Sequence, residues 1–255
     1  MSAPTADARA LLERAERIAV LTGAGISTDS GIADFRGPKG VWTMNPAAER
    51  ASNISVYVSE PEVRVAAWRR RADAVGPGPQ PNDGHRALVD LERTGRLLAL
   101  VTQNVDGLHL VAGSDPDLVV EVHGNARETA CLACGDRRPI EATLERVRAG
   151  EADPPCLVCG GILKAATVSF GQSLRTADLE RMDHAARHAD LLLTIGTTLA
   201  VHPVADMVPL AVAHGAPVVI LNDAPTEMDD LADVVLRGSI SAVLPALVRD
   251  LAPVG

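Results

Sequence analysis

The run Ile18-Ala-Val-Leu-Thr-Gly23-Ala-Gly25-Ile-Ser27 decides the fold. Its first five residues carry no charge and do not alternate with polar ones, the pattern of a strand covered on both faces. A Gly-x-Gly turn and a helix start follow at once. Glycines there allow a tight turn and let the backbone approach a pyrophosphate, which then rests on the helix N-terminus. Any βα turn uses glycine, so this motif needs company before it means a nucleotide.

The company comes from the rest of the chain. Further strands are expected at Leu97 to Thr102, Val119 to Val122, Leu191 to Ile195, Val218 to Asn222 and Val234 to Leu236. Helical patterns are expected at Thr5 to Arg17, Gly84 to Thr94, Thr176 to His188 and Ser241 to Leu251. Such alternation builds an α/β fold, a Rossmann-like doubly wound parallel sheet. Two stretches break it and read as insertions that fold together into a smaller helical and zinc-ribbon domain. The expected division is residues 1–37, 85–125 and 167–255 for the sheet domain, and residues 38–84 and 126–166 for the small one.

Several polar groups fall at strand ends on one edge. Gly196-Thr197-Thr198 offers backbone donors and hydroxyls, and Asn222-Asp223 ends another strand. A dehydrogenase would place an acid about 20 residues beyond the first turn to hold the adenine ribose. That acid is missing, and Asp34-Phe35-Arg36-Gly37 follows instead, so a dinucleotide is expected in another orientation.

Composition narrows the classes. Acidic residues outnumber basic ones by 33 to 24, a net charge of −9, which disfavours phosphate-backbone binding, and only 2% of residues are aromatic. No direct nucleic-acid or membrane partner is expected, and the absence of a signal-like start points to the cytoplasm. Cys131-x2-Cys134 and Cys156-x2-Cys159, 21 residues apart, suit one closed tetrahedral Zn²⁺ site. Such a site leaves no position for water, so the metal is expected to be structural.

GAGISTDSGIADFRG (23–37), TQNVDGLH (102–109), HGN (123–125), the double CxxC and GTTLAVHP (196–203), in this order, closely resemble the sirtuins, here of the bacterial type. These are NAD-dependent protein-lysine deacylases, and the resemblance runs from about residue 12 to residue 250. It implies that Gly23, Ala24, Gly25, Ile26, Thr28, Asp34, Phe35 and Arg36 form the first cofactor segment. Gln103, Asn104, Val105 and Asp106 would surround the nicotinamide ribose and amide. Gly196, Thr197, Thr198, Asn222, Asp223 and Ile240 would contact the phosphates and the adenosine half. His123 would be the general base and also touch the cofactor, with Asn104 as the second catalytic residue. In the family, the acyl oxygen attacks C1′ of the nicotinamide ribose and expels nicotinamide, after which a base deprotonates a ribose hydroxyl. Histidine suits that step because its ordinary pKa of ~6.5 leaves it largely neutral at cytoplasmic pH.

Blander readings stand beside these. Asn104 and Asp106 also read as turn formers after a strand, and a lone histidine at a strand mouth is often structural. The resemblance further implies an acyl-lysine tunnel walled by Val168 and Phe170. The peptide would add as a strand between the loop around Val168, Phe170 and Gly171 and the loop carrying Ala200 and Val201. Gln172 stands where the family's Phe-Gly-Glu turn has an acid. Trp68 and Arg71 fall where acidic-acyl sirtuins carry Tyr-x-x-Arg, so the phenol is absent and an acetyl or other apolar acyl group is expected. All five rings are expected on the ligand side of the molecule. Protein mono-ADP-ribosyl transfer and a non-catalytic NAD or ADP-ribose sensor are the competing functions.

Overall fold

A computed structural model describes residues 3–35, 37, 40–74 and 78–254. Six strands make one parallel sheet: β1 (Ile18–Thr22), β2 (Leu97–Thr102), β3 (Val119–Glu121), β7 (Leu191–Ile195), β8 (Val218–Leu221) and β9 (Val234–Leu236). Three more, β4 (Gly124–Cys131), β5 (Arg137–Pro139) and β6 (Leu163–Thr167), make an antiparallel sheet. The large sheet runs β3-β2-β1-β7-β8-β9. Its order therefore reverses between β1 and β7, and the crevice outside that switch point is where doubly wound sheets bind ligands.

The strands alternate side chains between two apolar layers. Ile18 and Val20 enter one core with Leu12 of α1 (Ala3–Arg14), Leu88 and Leu91 of α6 (Asp83–Arg93) and Leu244 of α11 (Ile240–Val248). Ala19 and Leu21 enter the other with Met182 of α9 (Thr176–His188) and Val208 of α10 (Met207–Ala213). Burial on both faces explains why these strands read as continuous apolar runs.

Expected and observed strands agree within one residue. Two helices end earlier than expected. α1 stops at Arg14 because the N–H groups of Glu16 and Arg17 donate to the Asp190 carboxylate instead of to a helical carbonyl. α11 stops at Val248, where the Arg9 guanidinium takes the Leu247 carbonyl (2.8 Å) and Arg249 turns extended. The helix start after Gly23 is a 3₁₀ segment, Ala24–Ser30, closed by Gly31 at φ 83°. A tight coil replaces the α-helix expected there, and the backbone leaves it in the left-handed region that glycine tolerates.

The small module packs short helices, α2 (Val41–Met44), α3 (Pro46–Ala51), α4 (Ile54–Ser59) and α5 (Pro61–Ala72), with α8 (Ile140–Arg148) and the three-stranded sheet. Its core joins Trp68 to Leu144, Leu163, Cys131 and Cys156. Tyr57 is also buried and its hydroxyl donates to the Leu163 carbonyl at 2.9 Å, tying α4 to β6. Tyr57 and Trp68 therefore lie inside the module and not on the cleft, a correction to the expectation for the rings. Trp68 adds bulk to the module's core beside Leu144 and Leu163, and Tyr57 is buried as well.

The four cysteine sulfurs lie within 4.8 Å of one another. Cys131 and Cys159 are separated by 3.5 Å and Cys134 and Cys156 by 3.8 Å. Four thiolates at Zn–S distances of about 2.3 Å stand roughly 3.8 Å apart in a tetrahedron, so the cluster fits one structural Zn²⁺. Backbone N–H groups of Cys134 and Ala133 donate to Cys131 Sγ, which favours its thiolate form, and Val158 N–H donates to Cys156 Sγ.

Below the crevice, two buried histidines join α6 to α7 (Leu108–Ala112). Their rings lie 5.0 Å apart, and His109 Nε2 meets Thr22 Oγ1 at 3.0 Å. Burial pushes His85 down to about 4 and His109 to about 3, so both are neutral in the fold. In the unfolded chain they titrate near ~6.5, so below that pH the unfolded state binds protons that the fold refuses. Stability is thus complete above pH ~6.5 and falls on acidification, by about 1.4 kcal/mol per pH unit for each histidine. Thermal melts should shift down steadily between about pH 6.5 and 5; a flat profile would contradict neutral buried rings. Chelation or Cys134→Ser should cost the protein its single equivalent of zinc and open the cluster against Trp68, read as a red shift of tryptophan emission. Full metal content in the serine variant would refute the four-thiolate site.

Candidate functional site

The C-terminal ends of four adjacent strands supply the crevice. Main-chain bonds hold them side by side: Gly23 N–H donates to the Ile195 carbonyl, Gln103 N–H to Thr22, Gly196 N–H to Leu221 and Asn222 N–H to Leu236, all at 2.9–3.1 Å. The first two glycine turns touch directly. Gly25 N–H donates to the Gly196 carbonyl at 2.8 Å, a Cβ on Gly25 would sit 2.7 Å from Gly196 Cα, and Gly196 itself has φ 61°. No side chain fits at either position, so the walls here are bare backbone.

Polar side chains are cross-braced above this floor. Gln103 Nε2 donates to Thr197 Oγ1 at 3.0 Å, and Thr197 Oγ1 also accepts Leu199 N–H. Asn104 Nδ2 donates to the Gly23 carbonyl (3.1 Å) and to Ser27 Oγ (3.2 Å), while Ser27 donates to Asp106 at 2.7 Å. Asn104 and Asp106 are thus brought together, with Ser27 as the joint between them. Sequence reasoning missed Ser27, although it stands inside the quoted 23–37 motif between Ile26 and Thr28. Its only signal was being a small hydroxyl residue one turn past Gly-x-Gly. Val105 faces the small module, its carbonyl accepting Ala126 N–H.

Other expected cofactor residues are distributed around the crevice. Ala24 is half-buried and Ile26 is buried, whereas Thr28 is exposed and turns back to the Gly25 carbonyl at 2.9 Å. Thr198 and Asp223 are exposed, and Asn222 closes its own turn by donating to the Ala224 carbonyl. Ile240 opens α11, its side chain packed in the first core against Gly84. Asp34 accepts Gly37 N–H at 2.8 Å. Arg36 lies outside the described residues.

His123 occupies the joint between the two sheets, two residues after β3 and one before β4. Its Nδ1 lies 3.1 Å from the Gln103 carbonyl. A carbonyl only accepts, so Nδ1 carries the proton and Nε2 is left with a free lone pair. Burial pulls the His123 pKa below its ordinary value, and the bond to Gln103 offsets part of that shift. Gly124 follows at φ 70°, where a Cβ would meet the Ala166 carbonyl at 2.0 Å, so only glycine lets the chain turn here.

The Val168 to Gln172 turn is fixed from both sides. Val168 N–H donates to the His123 carbonyl at 2.7 Å, Phe170 N–H to Ser52, and Ile54 N–H to Phe170. Gln172 Oε1 accepts Ser169 N–H at 3.2 Å, so a neutral amide closes the turn. Phe35, Trp42 and Phe170 form a ring chain with centroids 4.7 and 5.3 Å apart. This chain joins the cofactor segment to the Phe170-Gly171 turn across the module. Ala200 and Val201 are half-buried on the loop after β7, next to Leu199, which is buried at φ 55°.

Comparison with known proteins agrees with this geometry. The Sir2 family model matches residues 23–203. NAD-dependent protein deacetylase 2 of Streptomyces coelicolor is 46% identical over 234 residues, 92% of this chain and 97% of that protein. The NAD-dependent protein deacetylase of Rhodopseudomonas palustris is 41% identical over 237 residues, 92% of each. A Sir2 enzyme solved for its mechanism and regulation superposes with a TM-score of 0.87 at 33% identity, over 98% of each chain. A Sir2 protein holding a deacetylated p53 peptide and 3′-O-acetyl ADP ribose gives 0.86 at 30% identity, over 98% of this chain and 99% of that one. One bound to a propionylated peptide gives 0.84 at 29% identity, over 96% and 98%. With a model spanning most of the chain and relatives aligned over nearly their full length, this chain belongs to the Sir2 family.

Proposed function

We propose that this protein removes acetyl or related apolar acyl groups from protein lysines in an NAD-dependent reaction, with His123 as the general base. The observation that carries the reading is the His123 tautomer: Nδ1 is committed to the Gln103 carbonyl, burial keeps the ring neutral, and Nε2 is free to accept a proton. The donor set fits NAD. Bare glycine backbone suits a pyrophosphate, and the Asn104, Ser27 and Asp106 braces suit a ribose and an amide. When bound, NAD supplies an electrophilic ribose carbon and carries the acyl group away.

The chain's own groups do the rest. Asn104 and Asp106 hold the nicotinamide end, and Phe35 shields it through its contact with Trp42. Val168 and Phe170 wall the acyl-lysine, Gly171, Ala200 and Val201 flank its backbone, and His123 Nε2 takes the hydroxyl proton. Gly196, Thr197, Thr198, Asn222, Asp223 and Ile240 receive the phosphate and adenosine half. Residues 1–37, 85–125 and 167–255 act as the nucleotide-binding unit, and residues 38–84 and 126–166 as the unit that carries zinc and covers the cleft. Trp68 faces the cysteine cluster, so it is no substitute for a tyrosine reading an acyl carboxylate. Arg71 is half-buried near Lys164, whose pKa falls to about 8 through burial and the nearby guanidinium. Among the described residues no helix is long and apolar enough to cross a membrane. The cytoplasm, with acylated proteins as partners, is the setting that suits this chemistry.

Nicotinamide release from NAD should require an acetyl-lysine peptide, and His123→Ala should slow deacylation by roughly 10²- to 10⁴-fold. Release that needs no peptide, or a product with ADP-ribose added to the peptide, would overturn the reading. The acid limb of kcat/KM should have its midpoint below ~6.5, since activity needs neutral His123 and burial depresses its pKa. A midpoint at or above that value would remove His123 from the role.

A further inference from the structure

Away from the strand-end crevice, a cavity of about 190 Å³ opens between the edge strand β3, the start of β4 and the first turns of α9. Four guanidinium groups line it, Arg127, Arg137, Arg175 and Arg181, against two carboxylates, Glu121 and Asp178. Counting Glu128, which pairs Arg137, the surplus is one positive charge, a local reversal in a chain whose net charge is −9. It does not arise from one helix or one loop, because the arginines come from three separate elements.

The guanidiniums are held in place by other contacts. Arg127 grips Glu121 through both nitrogens at 2.6 and 2.7 Å. Arg137 bonds Glu128 at 2.7 Å. Arg181 reaches the carbonyls of Val119 (3.1 Å) and Asp117, so among the described residues its charge is met there only by neutral acceptors. Arg175 stands 3.7 Å from Asp178, beyond a hydrogen bond. Solvated surface pairs alone would be worth little, about 0–1 kcal/mol each, and would not need to converge on one hollow. Convergent planar forks match oxyanions that bind two nitrogens at once. The volume is below the roughly 300 Å³ at which drug-sized pockets begin, which selects a small ion over a nucleotide.

We propose that this cavity binds a small, multiply charged oxyanion of the diphosphate class, at a site separate from the NAD crevice. Both Glu121 oxygens are taken up by Arg127, so an anion gains that guanidinium only by drawing it away from Glu121. The same ion pair spans residues 121 to 127 and closes the turn that carries His123. A bound anion competes with Glu121 for Arg127, so filling the cavity loosens the turn around the base and slows deacylation. This last effect rests on the deacylase reading; the binding does not.

Calorimetric titration with pyrophosphate, in the presence of saturating ADP-ribose to fill the crevice, tests the site directly. Saturable binding near one per chain is expected, weakened at least about tenfold in Arg137→Gln and in Arg181→Gln proteins whose thermal melts match the parent. No saturable heat under those conditions, or the parent's affinity retained in both variants, would overturn the site. Turnover of an acetyl-lysine peptide should fall as pyrophosphate fills the cavity, and much less so in Arg137→Gln relative to its own starting rate. Unchanged turnover of the parent at saturation would overturn the coupling to the His123 turn.

Discussion

The ligand side of the molecule depends on one close approach, the backbone of the first strand-end turn laid on the backbone of Gly196. Gly25 donates to Gly196 while Gly23 reaches Ile195, so the ends of β1 and β7 are locked at the point where strand order reverses. A methyl group at Gly25 or at Gly196 would have to occupy space already filled by the other turn's main chain. The crevice is therefore defined by main-chain atoms, and side chains only brace it. Gln103 reaching Thr197, and Asn104 reaching Gly23 and Ser27, fasten β2 to the same two turns.

The second constraint is the passage from one sheet to the other. β3 ends the parallel sheet and β4 begins the antiparallel one within three residues, and His123 lies between them. Gly124 permits the turn, the pairing of Gly124 with Thr167 holds it, and Val168 returns a hydrogen bond to His123. The base and the Phe170 turn are thus parts of one backbone unit. The small module, itself held by the cysteine cluster and by Tyr57 bound to Leu163, positions that unit from the other side through Ser52 and Ile54.

Much of this was legible in the residues. Strands buried on both faces announce themselves as uninterrupted apolar runs, and most of the six ladder strands read that way. Two CxxC pairs announce a metal because four thiolates so spaced suit one tetrahedral ion. Less legible was anything set by partners distant in sequence. The end of α1 depends on Asp190, and the joint role of Ser27 depends on Asn104 and Asp106. Nor does local propensity encode the bond from Gly25 to Gly196 within the 3₁₀ segment 24–30. The burial of Tyr57 and Trp68 was misread because scarcity of rings suggested ligand contact, whereas both are buried inside the small module.

That distribution of rings has an optical consequence. Every tryptophan and the single tyrosine lie between residues 42 and 68, and the six-stranded sheet with its covering helices holds none. Intrinsic fluorescence and the tryptophan and tyrosine bands of near-ultraviolet dichroism consequently report the small module and its contact with Phe35, while far-ultraviolet dichroism and calorimetric heat are dominated by the large sheet and its helices. The two halves of this molecule carry separate spectroscopic signatures without any label, and a melt followed by both methods resolves whether they come apart together.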